Sequence, residues 1–202
     1  MHAIGDRANR IALDAIEAAP GAARRDARPR VGHAQVLRVA DIGRFQGLGA
    51  IASVQPTHAT SDMRWAEARL GPERIAGAYA YGSLARAGAG GALGPGFPGG
   101  NARPLEGPAA AGARRDLAGR PAGGWRVAEA LTFDEALACF TSGPAWASFT
   151  ETELGRIAPG FRADFTVLDR DPGAVPAAEL PSLKVLRTIV GGRVTHDGSP
   201  AR

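Results

Sequence analysis

The sequence of 202 residues contains few of the residues that mark several protein classes. Cys139 is the only cysteine, so an intrachain disulfide is excluded, and its place among Ala136, Leu137 and Phe140 is typical of core packing. The sequence has no uninterrupted apolar run of about 18 residues and no basic leader followed by an apolar core. We therefore expect neither a membrane span nor a signal peptide, and a cytoplasmic location is the default expectation.

Lysine and aromatic residues are also scarce. Lys184 is the only lysine among 24 basic residues, and aromatic residues make up 6% of the chain. The net charge of +4 comes from arginines in an Ala- and Gly-rich sequence, and no aromatic side chains alternate with them as a single-strand stacking surface requires. We expect no nucleic-acid partner.

Three histidines follow strand-like segments at intervals of about one βα unit. His2 precedes a helical pattern in which Ile11, Ala12, Ala15 and Ile16 share one face, with Asp6 as its expected cap. His33 ends a short strand, and His58 follows the apolar run at 50–54. The loop containing His58 is expected to lead into a helix from Met63 to Leu70, capped by Ser61.

The spacing predicts an α/β fold in which successive parallel strands end in histidines. Ligand sites in such folds lie where strands end, and histidine is a common metal ligand. A single histidine at such a place is more often structural, whereas two at matching positions leave a metal site and a structural role equally open. His196 lies in a predicted C-terminal hairpin and is interpreted as a surface residue.

The C-terminal region contains clearer local signals. Thr132 and Glu135 form the pattern of a capping box before an apolar helix face. The segment 163–168 alternates as a strand does, and the segments at 184–190 and 193–195 flank a two-glycine turn typical of a hairpin. Residues 88–124 are rich in Gly, Ala, Pro and Arg, which is typical of a long loop.

Four segments together resemble amidohydrolase family 3, a group of metal-dependent hydrolases. They are residues 2–9 (HAIGDRAN), 33–35 (HAQ), 53–63 (SVQPTHATSDM) and 160–169 (GFRADFTVLD). The resemblance implies the C-terminal half of a TIM-type (β/α) barrel over residues 1–150 and part of a small β-sandwich over residues 151–202. A full barrel commonly needs about 250 residues, so half a barrel is the most that fits.

The same resemblance assigns roles to individual residues. It implies that His2 and His33 bind a divalent metal, which in the family is usually zinc, and that His58 contacts the substrate. The family's remaining metal ligands lie in a part that precedes the matching segments, so the implied site is incomplete. Gly96 stands where the family has the aspartate that handles the proton of the attacking water, and no catalytic residue is therefore assigned in this chain.

Two functional hypotheses follow. In the first, the protein is an enzyme, a hydrolase of non-peptide carbon-nitrogen bonds in small amides or N-acyl compounds, acting through metal-activated water. In the second, it is a non-catalytic fragment of such an amidohydrolase, truncated or decayed. In both cases the expected protein partner is an N-terminal half or a second copy of the chain.

Overall fold

The structure is a computed structural model that describes residues 1–20, 27–94 and 101–198. Its first part alternates short strands and helices, which confirms the α/β class. Four parallel strands form one sheet in sequential order: β1 (His2–Ala3), β2 (Arg30–His33), β3 (Ile51–Val54) and β4 (Gly90–Leu93). Because every neighbouring pair is parallel, the carboxyl ends of all four strands lie at one edge of the sheet.

The helices of this part follow the strands in turn. Apolar residues at helical spacing bury one face of each longer helix, as Leu13 and Ile16 do in the first and Phe45 in the second. With Val31 from β2, these side chains are at most 4% exposed and belong to the main core, whereas the buried Ile51 of β3 packs with Ala92 and Ala147. The helices are α1 (Asp6–Glu17), α2 (Val39–Gly47), α3 (Pro56–Asp62), α4 (Ala66–Ile75) and α5 (Tyr81–Arg86).

Three further α-helices and a short 3₁₀ helix follow β4. The capping box is confirmed, since Glu135 donates its backbone N–H to the Thr132 hydroxyl while the Thr132 backbone N–H donates to the Glu135 carboxylate. α7 and α8 pack against β4, and α6 packs against α3. The elements are α6 (Glu106–Ala113), the 3₁₀ helix Val127–Glu129, α7 (Phe133–Phe140) and α8 (Ser142–Ala147).

The last part of the described chain contains a second, antiparallel sheet. Its strands are β5 (Phe165–Leu168), β6 (Val185–Val190) and β7 (Arg193–Asp197), in that order. The predicted strand and hairpin are confirmed, with positive φ angles at Gly191 and Gly192 forming the turn. Two short 3₁₀ helices, Pro172–Ala174 and Ala177–Ser182, connect β5 to β6. The division into domains at residue 150 stays a prediction.

Two local predictions near the strand ends are wrong. The segment at 55–58 is not a loop, because Pro56 is the first residue of α3. A backbone N–H at this position has no partner within the helix, so a proline there costs no hydrogen bond. Ser61 therefore lies inside that helix and donates to the His58 carbonyl instead of capping the next helix. Gly5, not Asp6, precedes α1, and the Asp6 carboxylate pairs with Arg74 of α4.

Within the described ranges, no helix is long and apolar enough to cross a membrane.

Candidate metal centre

The three histidines lie at the carboxyl edge of the parallel sheet. His2 is in β1, His33 is the last residue of β2, and His58 is in the first turn of α3, directly after β3. Strand pairing sets Ala3 opposite His33, so the first two histidines come from adjacent strand ends. His2 and His33 lie close together because β1 and β2, which are consecutive in sequence, are also neighbours in the sheet.

The imidazole rings form one contiguous cluster centred on His33. The ring centroids of His2 and His33 are 4.7 Å apart with the planes nearly perpendicular, and those of His33 and His58 are 5.4 Å apart in a stacked arrangement. The structure thus brings together the two histidines predicted as ligands and the third that was predicted to contact substrate. His196 lies on β7 and is exposed, as predicted.

An unusual backbone conformation directs the chain after β2. His33 has a φ of 71° and Ala34 a φ of 40°, both in the left-handed region that side chains other than glycine rarely adopt. The bend is fixed on both sides, because Val36 donates to the Ile4 carbonyl and Tyr79 donates to the Gln35 carbonyl. A strained conformation held by surrounding hydrogen bonds is a common feature of functional sites.

The environment of His33 favours the neutral imidazole. Burial lowers the pKa of His33 below its ordinary value, and the neighbouring His2 and His58 lower this pKa further. Its Nδ1 atom is buried and has no hydrogen-bond partner in the described part of the chain. A neutral histidine with an unsatisfied buried nitrogen is in the form that a divalent metal requires.

The two predicted ligands fit part of a metal site. Among the described residues, no group of three or more His, Cys, Asp or Glu side chains is arranged to hold a metal ion. As predicted ligands, His2 and His33 would provide two imidazole nitrogens, whereas protein metal sites of the zinc type use three or four protein ligands. Gly96, which stands at the position of the family aspartate, lies outside the described residues.

A partly buried polar network that follows His33 and His58 along the chain escaped the sequence analysis. The Asp62 carboxylate accepts hydrogen bonds from Gln35 Nε2 at 2.9 Å, the Tyr79 hydroxyl at 2.8 Å and Ser61 Oγ at 2.9 Å. Burial and the hydrogen bond to Asp62 raise the pKa of Tyr79, so its hydroxyl stays a donor. The network joins the loop after His33 to the end of α3, the helix that carries His58.

The one available signal for this network was the spacing of His58 and Asp62. Residues four apart share a helix face, but this pattern is informative only where a helix is expected. Because the segment was interpreted as a loop, the carboxylate was not connected to the histidines.

Comparison with known proteins adds independent support to this geometry. The family model described as "Amidohydrolase family" matches residues 1–196. YtcJ of Bacillus subtilis, whose name describes it as an amidohydrolase, is 34% identical over 98% of this chain and 37% of its own length. An N-substituted formamide deformylase of Arthrobacter pascens is 34% identical over 98% of this chain and 36% of its own length.

A solved structure shares both the fold and a substantial part of the sequence. A metal-dependent hydrolase from Pyrococcus horikoshii superposes with a TM-score of 0.73 and 31% identity, over 87% of this chain and 34% of that protein. The chain thus spans about a third of the length of the relatives that it matches. The match over residues 1–196, together with histidines clustered at the ends of parallel strands, shows that this chain belongs to the amidohydrolase family.

Proposed function

We propose that this chain forms the C-terminal part of a metal-dependent hydrolase that cleaves non-peptide carbon-nitrogen bonds in small amides or N-acyl compounds. In this proposal β1 to β4 and their helices are half of a TIM-type barrel, and β5 to β7 are part of a small β-sandwich. Family membership supports the hydrolase class, and the sequential parallel sheet supports the barrel geometry. The deformylase among the relatives is named for an N-substituted formamide, which is a carbon-nitrogen compound of this kind.

The observation that carries the proposal is the contact between His2 and His33. Their ring centroids are 4.7 Å apart, and the buried Nδ1 of His33 has no partner in the described residues. Two imidazoles this close are available to bind one ion, with zinc as the proposed metal. The other ligands would come from a part of the enzyme that precedes the matching third of its relatives.

The residues of this chain would bind the metal and orient the substrate. A bound divalent metal supplies water of lowered pKa and polarises the substrate carbonyl. His2 and His33 would hold the metal as neutral ligands, and the depressed pKa of His33 keeps it in that form at neutral pH. His58 stacks on His33 and would contact the substrate. The Asp62 network would fix the helix that carries His58.

The position that the family resemblance assigns to the proton carrier holds Gly96 in this chain. A carboxylate that takes the proton of the water and returns it to the leaving amine contributes roughly 10²- to 10⁴-fold to the rate. Gly96 offers no such group. This substitution favours the second candidate, a non-catalytic fragment that keeps part of the metal site and associates with an N-terminal half or with a second copy of itself.

Zinc titration of the purified chain by calorimetry tests the metal site. We expect saturable, stoichiometric binding that a chelator reverses and that His33→Ala abolishes, because one imidazole of a pair binds weakly. The matched control is His196→Ala, which removes an exposed histidine on β7. Equal zinc binding by both variants, or none by the unmodified chain, would contradict the proposal.

Co-expression with an N-terminal half distinguishes the two candidates. The separate chain would be the part of a relative such as the deformylase that this chain does not match, and amide hydrolysis would be measured. Activity that depends on His33 supports the enzyme, whereas assembly without activity supports the non-catalytic fragment. Gly96→Asp, tested in the same assembly, should raise the rate by the factor that a general base contributes, about 10²-fold or more.

A further inference from the structure

A groove of about 750 Å³ lies between α3 and α6. Its remaining walls are the segment at 115–120 and the 3₁₀ helix Ala177–Ser182. The α6 wall contains Ala109, Ala110 and Ala113, whose small side chains leave room above the helix backbone. Among the described residues, no histidine lines this groove, so a ligand held there is recognised by other side chains.

Arginines give the groove an excess of positive charge. Its described lining contains four arginines and two carboxylates, which is an excess of two positive charges. Such an excess around a concave surface attracts anions. The arginines are Arg64, Arg103, Arg115 and Arg120, and the carboxylates belong to Glu106 and Asp116.

Both carboxylates are already bound by the protein itself. Asp116 lies 3.6 Å from Arg120 and accepts hydrogen bonds from the backbone N–H groups of Ala118 and Arg120. Glu106 is 7% exposed and lies 3.4 Å from Arg103. The side chains of these two arginines remain at least 68% exposed, so the charge that a ligand meets is mainly positive.

Arg115 is the arginine of the groove with an unmet need for a partner. Within the described part of the chain its side chain makes no salt bridge and no hydrogen bond. It is nevertheless partly buried in the groove wall. Because burial of a charge is unfavourable until the charge is paired, a carboxylate that forms two parallel hydrogen bonds with this guanidinium would stabilise it.

The positions of Arg103 and Arg115 set a spacing for the ligand. Arg103 lies three residues before the first residue of α6, and Arg115 lies two residues after its last. The eight residues of the helix span about 12 Å. An extended peptide covers this distance in about four residues, and side chains four positions apart lie on the same side of such a peptide.

The lining of the groove favours a peptide over a nucleic acid. Proteins that bind single strands stack the bases on aromatic rings, and no aromatic side chain lines the described groove. The alanines of α6 instead leave space for a small apolar side chain between two acidic ones.

We infer that this groove is a docking site for an acidic peptide segment of another polypeptide chain, with acidic side chains at positions i and i+4 bound by Arg103 and Arg115. A small apolar side chain at position i+2 lies over the alanines of α6. This interaction does not depend on the proposed hydrolase reaction.

The test measures by calorimetry how the purified chain binds the capped peptide Glu-Ala-Val-Ala-Glu. A matched peptide has glutamine in place of both glutamates, and a third peptide of the same composition has the two glutamates adjacent. We expect the first peptide to bind about 30-fold more tightly than the glutamine peptide, about tenfold from the partly buried Arg115 and about threefold from the exposed Arg103.

The peptide with adjacent glutamates should bind at least about threefold less tightly than the first, because it reaches only one of the two arginines. Added salt should weaken the binding of the first peptide and leave that of the glutamine peptide nearly unchanged.

Variants of the chain identify the arginines. Arg115→Gln should reduce the affinity for the glutamate peptide about tenfold and Arg103→Gln about threefold, and neither should change the binding of the glutamine peptide. Of two peptides that keep one glutamate each, Arg115→Gln should weaken only one and Arg103→Gln only the other. The control is Arg193→Gln, an exposed arginine on β7 outside the groove, which should bind as the unmodified chain does.

Equal binding of the glutamate and glutamine peptides, or no binding of either at millimolar concentration, would overturn the inference. Free glutamate that binds as tightly as the peptide would identify a small-anion site in its place. Tighter binding of an oligouridylate that Arg115→Gln abolishes would identify a nucleic-acid site, and either of these two results also overturns the inference.

Discussion

The side-chain amide of Asn9 donates a 3.0 Å hydrogen bond to the main-chain carbonyl of Val36, 27 residues further along the chain. The same amide donates to the carbonyls of Ile4 at 3.2 Å and Gly5 at 3.0 Å. Asn9 is completely buried, in the first helix after β1. It therefore ties together the two segments that follow His2 and His33.

Asn9→Ala should lower the free energy of unfolding by about 1–3 kcal/mol, because it leaves the buried Val36 carbonyl without its side-chain donor, whereas the Ile4 and Gly5 carbonyls keep backbone donors. Urea unfolding measures the change. Asn101→Ala is the control, since the Asn101 amide makes one 3.2 Å hydrogen bond to Glu106 from an exposed position. Similar losses in the two variants would contradict the role assigned to Asn9.

Gly77→Ala should destabilise the protein by about 3 kcal/mol, since a Cβ there would lie 2.1 Å from the Leu37 carbonyl oxygen. The clash is with backbone, which cannot rotate away, and the Gly77 carbonyl already accepts from the Leu37 N–H. Thermal unfolding measures the change. Gly43→Ala, at an open and exposed position inside α2, should instead stabilise by about 0.5–1 kcal/mol. Unchanged stability of the Gly77→Ala variant would show that the backbones at Gly77 and Leu37 are not in close contact.

Asp41→Asn should cost about 1–3 kcal/mol, because the buried Asp41 carboxylate lies 2.8 Å from Arg10 and 3.1 Å from Arg44. Both arginines are partly exposed, which keeps the loss below that of a fully buried pair. Chemical unfolding at two salt concentrations measures it. Asp14→Asn, which removes an exposed carboxylate from the same cluster, should cost about 0.5 kcal/mol or less and respond more to salt.

The ion pair of Asp6 and Arg74 should make stability depend on pH. The hydrogen bond from Arg74 lowers the pKa of Asp6 below its ordinary value. The pair's contribution is fully present above the pKa of Asp in an unfolded chain, about 3.9, and is lost as the pH falls through the lower folded pKa. Because both side chains are partly exposed, the contribution is about 0.5–1 kcal/mol.

Asp6→Asn should accordingly be less stable than the unmodified protein at pH 7, with the difference shrinking below about pH 4. Urea unfolding at both pH values measures the difference. A gap that stays constant with pH would mean that the ion pair adds nothing. Glu73→Gln, which removes a neighbouring carboxylate on α4 that makes no salt bridge in the described chain, is the control.

Part of the strand framework was predictable because several strands end in a recognisable way, whereas β4 lies in the stretch 88–124, whose composition predicted a long loop. His33 and the run before His58 mark strand ends, and the two glycines between β6 and β7 set their turn. These signals are local, since a short apolar run bounded by polar or small residues needs no tertiary information. The capping box at Thr132 is of the same kind.

What the sequence did not reveal depends on contacts between distant residues. Asp6 was expected to cap α1, yet its carboxylate pairs with Arg74, 68 residues away. α3 and α6 pack together, and no periodicity in the sequence specifies this contact.

The sequential order of β1 to β4 also bears on how this chain acquires its structure. Each strand pairs only with the strands immediately before and after it in sequence. Loop-closure entropy is therefore lower for these pairings than for an arrangement that pairs strands further apart in sequence. A division of the gene between two successive strands would place one pair of hydrogen-bonded strands on different polypeptides. Every other pair would stay together on one of the two polypeptides.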